Sequence, residues 1–244
     1  MSRLTNIIEI KKLRKVYGDG VEVVALDDVD LTIKEGEVLS IVGPSGSGKS
    51  TLLNLIGLLD TPSGGEIWLK GQNITDATPT ERARLRNKEL GFIFQFHHLL
   101  PEFNAIENVM MPLLIAGVDR DEAKERAVAL LEEVGLGDRL HNRPNQLSGG
   151  QNQRVAVARA LAAHPSIVIG DEPTGNLDSK SSDMIYELLR KLNRQMKQTF
   201  ILVTHDMTMA EKTDRILRIV DGKIACEMRR EGDGFVSTDL CQEE

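Results

Sequence analysis

Gly43-Pro44-Ser45-Gly46-Ser47-Gly48-Lys49-Ser50-Thr51 is the stretch on which the reading of this chain turns. It follows the apolar run Val38-Leu39-Ser40-Ile41-Val42 and leads into Thr51-Leu52-Leu53-Asn54-Leu55-Ile56, which gives the order strand, glycine-rich loop, helix. Glycines carry no Cβ, so several consecutive backbone N–H groups can turn inward around a polyphosphate at the positive end of the following helix. Lys49 then supplies a point charge for the β- and γ-phosphates, and Ser50 a hydroxyl for Mg²⁺. A merely flexible Gly/Ser turn would not need Gly-Lys-Ser after four intervening residues between a strand and a helix.

The 244 residues suit one large α/β domain with room for an inserted subdomain. A net charge of −7 argues against a nucleic-acid partner held by a broad basic face. Cys226 and Cys241 have no metal-ligand spacing, and are expected to be free thiols in a reducing cytosol. The longest apolar run, Val109 to Val118, is broken by Pro112 and falls well short of the roughly 20 residues that cross a bilayer. The stretch Met1-Ser2-Arg3-Leu4-Thr5-Asn6 lacks a signal-peptide core. The expectation is a soluble chain with no direct membrane insertion, whose membrane role, if any, comes through a partner.

Outward from the loop, Ile7–Ile10, Val21–Ala25 and Asp30–Lys34 read as strands of an antiparallel sheet beside the loop's own strand, with a further short strand over Gly65–Leu69. Thr78-Pro79-Thr80-Glu81 has a capping-box pattern and opens a helix to about Leu90, its Arg82, Arg84, Arg86 and Lys88 forming a solvated face. Leu90–Phe94 is a buried-strand candidate ending at Gln95. From Phe103 to about Leu136 the pattern is helical, which suggests an inserted helical subdomain over about 97–146. Gln151–Ala163 is an amphipathic helix with Val155, Val157, Ala158, Ala160 and Leu161 inward. Ser166–Ile169 and Phe200–Val203, joined by a helix from about Ser179 to Arg194, read as parallel strands covered on both faces. Asp221-Gly222 marks a hairpin. The main unit thus spans 1–230, and 231–244 reads as a polar, acidic tail without a clear period.

A phosphate loop needs an acidic element at the end of a neighbouring strand, and Ile167-Val168-Ile169-Gly170-Asp171-Glu172-Pro173 supplies it. Asp171 would hold the metal, and Glu172 is placed to accept a proton from an attacking water. Alone, the two carboxylates would read as a solvated turn. Leu147-Ser148-Gly149-Gly150-Gln151 is a second glycine loop that opens a helix: Ser148 can cap it, and the Gly149 and Gly150 N–H groups form another anion site.

Leu-Ser-Gly-Gly-Gln, about two dozen residues before the Asp-Glu pair and about a hundred after the first loop, resembles the signature of ATP-binding cassette (ABC) ATPases. The resemblance runs from about Ile7 to Arg229. It implies an α/β P-loop cassette with a RecA-like core, an antiparallel β subdomain and an inserted α-helical subdomain, with ATP and Mg²⁺ as cofactors. It also implies that Gln95 senses Mg²⁺ and the attacking water, that His205 is the switch histidine on the γ-phosphate, that Tyr17 stacks on adenine, and that Asp178 lies in a loop crossing to a second subunit. Each cassette uses its two glycine loops on different nucleotides, so the resemblance implies a head-to-tail homodimer in which Ser148 and Gly149 face the other copy's Lys49. Two departures stand out. Gly170 takes a usually bulkier apolar position, and Asn152 follows the signature where Gln, Lys or Arg is common.

Gln95-Phe96-His97-His98-Leu99-Leu100-Pro101-Glu102-Phe103 lies where transporter motors of this family dock a membrane permease subunit. His97 and His98 are not metal-ligand candidates, because adjacent side chains point apart and no third ligand is near; they read as partner contacts or surface residues. The segment from Gly91 to Val109 closely resembles ATPase subunits of bacterial lipoprotein-releasing transporters. Asp171-Glu172-Pro173-Thr174-Gly175-Asn176-Leu177-Asp178 fits the wider group with macrolide and peptide exporters and the cell-division ATPase FtsE. The resemblance implies a peripheral subunit at the cytoplasmic face of the inner membrane, working for a permease that releases lipoproteins, with export of antibiotics or peptides, or an FtsE-like scaffold, as alternatives.

Overall fold

The structure, a computed structural model, describes residues 5–18, 20–232 and 234–238. The first two strands, β1 (Asn6–Tyr17) and β2 (Val23–Lys34), form a long antiparallel pair. Where the sequence predicts separate strands at Val21–Ala25 and Asp30–Lys34, the chain makes one. Lys12 and Asp28 sit in the left-handed region, the register slips between Ile10 and Leu13, and the Lys12 N–H turns aside to the Asp30 carboxylate at 2.9 Å. Bulges of this kind bend a ribbon without ending it, and break the alternation a reader of the sequence relies on.

β3 (Val38–Val42) leads through the glycine loop into α1 (Lys49–Ile56). Then come β4 (Gly64–Leu69), β5 (Gln72–Asn73), α2 (Pro79–Glu89) and β6 (Leu90–Phe94). The reciprocal Thr78–Glu81 capping box starts α2 as its sequence predicts. Between β6 and the signature lie α3 (Ala105–Ile115) and α4 (Arg120–Glu133). The chain then runs through α5 (Gly149–Leu161), β7 (Ile167–Asp171), α6 (Ser179–Met196), β8 (Thr199–Val203) and α7 (Met207–Ala210). It ends in β9 (Arg215–Val220), β10 (Lys223–Glu231) and β11 (Gly234–Ser237).

Two sheets result, β2-β1-β4-β5 and β11-β10-β9-β3-β8-β7-β6. In the second, β9, β3, β8, β7 and β6 are parallel, and side chains along them alternate between two cores. Leu39, Ile41, Ile167, Ile169, Ile201 and Val203 face α1 and the small sheet, whereas Val38, Val168, Phe200 and Leu202 face α3 to α6. Burial on both faces is what a run such as Phe200-Ile201-Leu202-Val203 demands. The parallel register sets Phe94 opposite Asp171 and Asp171 opposite Val203, so the segments leaving these strands emerge at one edge. Among the described residues no helix is long and apolar enough to cross a membrane.

The C-terminal stretch differs from its reading. Within the stretch after Arg230, which shows no period, Gly234–Ser237 form β11 as the outer strand of the main sheet. Cys226 is disulfide-bonded, which overturns the expectation of a free thiol there; Cys241 lies outside the described residues. The reason is the turn after β10: β11 brings Ser237 opposite Met228, two residues from Cys226, a proximity that linear spacing conceals.

Candidate active site

The glycine loop is shaped by backbone pressing on it from two sides. A Cβ on Gly43, at φ 147°, would lie 2.1 Å from the Ile219 carbonyl oxygen, and one on Gly48, at φ 103°, 2.5 Å from that of Ala25. No other residue fits at either place. Gly48 caps α1 with no side-chain hydrogen bond and no acidic residue follows in the first turn, so the helix's leading N–H groups are left for an anion. Inside the loop, the buried Ser47 hydroxyl has no partner among the described residues and sits 3.0 Å from where a Gly43 Cβ would be. Lys49 folds back over the loop, its ammonium donating to the carbonyls of Gly43 and Pro44 at 2.8 and 2.7 Å. An uncapped helix, an orphan hydroxyl and a lysine at one mouth fit a polyphosphate; Pro44, Ser45, Gly46 and Ser50 form its exposed rim.

Across the edge, Asp171 ends β7 and Glu172 follows at φ 48°. Burial pushes the Asp171 carboxyl above its usual range, the Glu172 charge adds to this, and Lys49 opposes it. Such a carboxyl is short of positive charge. Asp171, the Ser50 hydroxyl and the Gln95 amide oxygen would together offer an all-oxygen donor set of the kind Mg²⁺ takes, few protein ligands with waters completing the shell. His205, in the segment after β8, places Nδ1 2.8 Å from Glu172 Oε1. That hydrogen bond first, and the Glu172 charge second, raise the imidazole above its ordinary range. Lys49, Asp171, Glu172 and His205 are thus one electrostatic group. A carboxylate and an imidazole so paired can hold and move a proton at a water beside the phosphates.

Tyr17 stands further along the P-loop face. Its hydroxyl donates to Asp60 at 2.8 Å and interacts with the Thr51 side chain, and the Lys15 ammonium covers its ring at 4.8 Å. The ring is 40% exposed, enough for a base to lie against it.

The second glycine loop is built differently. Ser148 caps α5 reciprocally with Gln151, at 3.3 and 2.9 Å. Gly149 and Gly150 belong to the helix, and Cβ atoms there would meet Leu177 at 3.4 Å and Ser181 at 3.5 Å, ordinary contacts. Their surroundings are the start of α6, where Asp178 accepts from the Ser181 N–H and hydroxyl as helix cap. No P-loop residue is among them. The sequence-predicted residues therefore form two groups on one chain: the P-loop with Tyr17, Asp171, Glu172 and His205, and the Ser148–Gln151 loop with Asp178.

Other residues tie the parts together without having been singled out in the sequence. Asn176 and Gln95 exchange hydrogen bonds at 3.2 and 3.1 Å. Arg159, near the far end of α5, donates to the carbonyls of His97 and His98 at 2.7 and 2.6 Å, and both histidines lie in the left-handed region. His97, read as a surface or partner contact, is half-buried, its ring beside the Gly149 backbone, and burial lowers the imidazole below its ordinary range. Gln153 points its amide at Pro173. A polar residue on the inward face of an amphipathic helix is the one sequence signal that could have marked Gln153. The two departures are accommodated: a Gly170 Cβ would come 2.8 Å from the end of the Leu202 side chain, which would have to shift for it, and Asn152 donates to the Pro144 carbonyl at 3.0 Å.

With this geometry in hand, the profile described as ABC transporter matches residues 26–175. The lipoprotein-releasing system ATP-binding protein LolD of Xanthomonas axonopodis pv. citri is 48% identical over 223 residues, 91% of each chain. LolD of Pseudomonas fluorescens is 52% identical over 219 residues, 89% of this chain and 96% of its own. Among solved structures, the ATP-binding cassette MJ0796, a dimer in a post-hydrolysis state bound to ADP and Pi, superposes with a TM-score of 0.84 at 43% identity, covering 92% of this chain and 99% of its own. CbiO1 of Clostridium perfringens, part of an ABC transporter complex, superposes with a TM-score of 0.83 at 28% identity, covering 91% of this chain and 88% of its own. The two glycine loops, the strand-end carboxylates and these likenesses agree: the chain belongs to the ABC transporter family, as one of its ATP-hydrolysing cassettes.

Proposed function

We propose that the chain is the motor of a lipoprotein-releasing transporter, working as a head-to-tail pair at the cytoplasmic face of the inner membrane. The observation that carries the pairing is the second glycine loop. Gly149 and Gly150 are the first two residues of α5, where glycine holds no advantage over alanine as a helix former, and nothing in the chain's own packing forbids a Cβ. Their smallness answers to something outside the chain, and a partner copy's nucleotide fits. Relatives named as lipoprotein-releasing ATPases, at about half identity over most of the chain, support the cargo class.

In this reading Gly43 to Thr51 wrap the phosphates, Lys49 leaves the loop carbonyls for the β- and γ-oxygens, and Tyr17 stacks on adenine. Ser50, Asp171 and Gln95 would hold Mg²⁺, which neutralises charge between the phosphates. Glu172 takes the proton of the attacking water, and His205, already bonded to Glu172, orients the γ-phosphate. Ser148, Gly149, Gly150 and Gln151 close over the partner's γ-phosphate while Asp178 approaches from the same side. A cavity of about 540 Å³, lined by Phe92, Phe94, His98, Met111, Ile115 and Arg159 among others, receives the permease. Beside it Phe96 is 68% exposed, an apolar surface that a partner would cover.

Ser148→Arg tests the arrangement. It should abolish ATP-driven dimer formation and hydrolysis while one monomer binds nucleotide as before, read by gel filtration and by nucleotide titration. Hydrolysis at the wild-type rate would show that the signature loop does not act across the pair.

A further inference from the structure

Gln153 lies one turn into α5 and is fully buried. Its side-chain nitrogen donates to the Pro173 carbonyl at 2.5 Å and faces the Phe94 carbonyl at 3.5 Å. Only the nitrogen end of an amide can face two carbonyls, which fixes the side chain's orientation. Both carbonyls adjoin the reaction, since Pro173 follows Glu172 and Phe94 precedes Gln95.

Glu172 stands at φ 48°, a conformation that a residue with a Cβ keeps only where its surroundings over-determine it. Main-chain bonds pin it from two sides: its N–H to the Val203 carbonyl and its carbonyl to the Gly175 N–H, both 3.0 Å. The Gln153 amide supplies a third grip, and it comes from the helix that starts at the second glycine loop.

We propose that Gln153 is a positioning residue that fixes Glu172 through the Pro173 carbonyl and refers its placement to the Ser148–Gly149 end of α5. The proposal rests on the reading of Glu172 as the base. In a head-to-tail pair its consequence is specific: the helix seated on one nucleotide sets the base that acts on the other.

Gln153→Met keeps the length and packing of the side chain and removes the donor. At saturating ATP its kcat should fall about tenfold or more, the scale of a misplaced catalytic group, while the KM for ATP and the ATP-driven dimer stay within about twofold. Added to Glu172→Gln it should cost less than about twofold more, because a residue acting through Glu172 has nothing left to lose there. Wild-type kcat in Gln153→Met, or a double variant in which the two losses multiply, overturns the proposal. Thermal melting reports whether the variant folds. If it does not, Gln153→Asn, which keeps an amide one methylene short of Pro173, is held to the same outcomes. Wild-type turnover in Glu172→Gln would remove the base assignment and this proposal together, whereas a large loss there beside wild-type turnover in Gln153→Met removes the proposal alone.

Discussion

Two glycine loops open two helices in this molecule, and they are glycine-rich for different reasons. At Gly43 and Gly48 the left-handed backbone and the carbonyls of Ile219 and Ala25 leave no space for a Cβ. The chain's own fold demands glycine there, before any ligand arrives. At Gly149 and Gly150 the backbone is helical and a Cβ would find ordinary contacts, so the fold would be better served by alanine. The first loop is complete within the chain, whereas on the proposed reading the second is half of a site whose requirement lies on the partner copy.

The contrast breaks most readily at the first loop. Gly48→Ala should destabilise the fold by roughly 2–4 kcal/mol, from strain and a backbone clash together, and should abolish nucleotide binding; melting curves with and without ATP measure both. If Gly48→Ala folded and bound like wild type, the close approach of β2 would not be what dictates the loop.

Gly149→Ala should do the opposite to stability and still disable the enzyme. Helix propensity predicts unchanged or slightly raised stability, by up to roughly 0.5 kcal/mol at a first-turn position, with turnover down by about tenfold or more as the added methyl meets the partner's nucleotide. Lower stability with normal turnover would place the glycine requirement inside the chain after all.

The smallest effect sharpens the first group. His205 titrates above its ordinary range because Glu172 accepts from it and is charged, so the pairing is complete at acid pH and is lost as pH rises through the raised value. Glu172→Gln should move the His205 titration back toward the ordinary range, followed by NMR of the imidazole. An unmoved titration would mean that the two residues are not partners in solution.

Much of this arrangement was legible in the chain itself. Strand, loop and helix around Lys49 followed from local pattern, and so did the capping box at Thr78 and the Ser148 cap, because each depends on residues within a turn of one another. The doubly buried strands announced themselves by apolar runs without alternation. What escaped depends on contacts across long separations: the bulge at Asp28, the β11 return that brings Ser237 beside β10, and the disulfide at Cys226. At the candidate site, Gln95 and His205 were visible only through resemblance, and Asn176, Gln153 and Arg159 not at all. Each of those three acts on a carbonyl or amide far away in sequence, and a hydrogen bond to main chain leaves no signature in the partner's identity.

Arg159 grips main chain rather than side chains, so the bend at His97 and His98 is stiff whatever a docked segment does to the two imidazoles. The same bend also reaches the other end of α5, because the His97 ring lies beside the Gly149 backbone while Arg159 holds the His97 carbonyl near the last turn of that helix. One two-residue turn thus touches α5 in its first turn and near its last, so on the proposed docking a push on that turn would reach the glycine end directly.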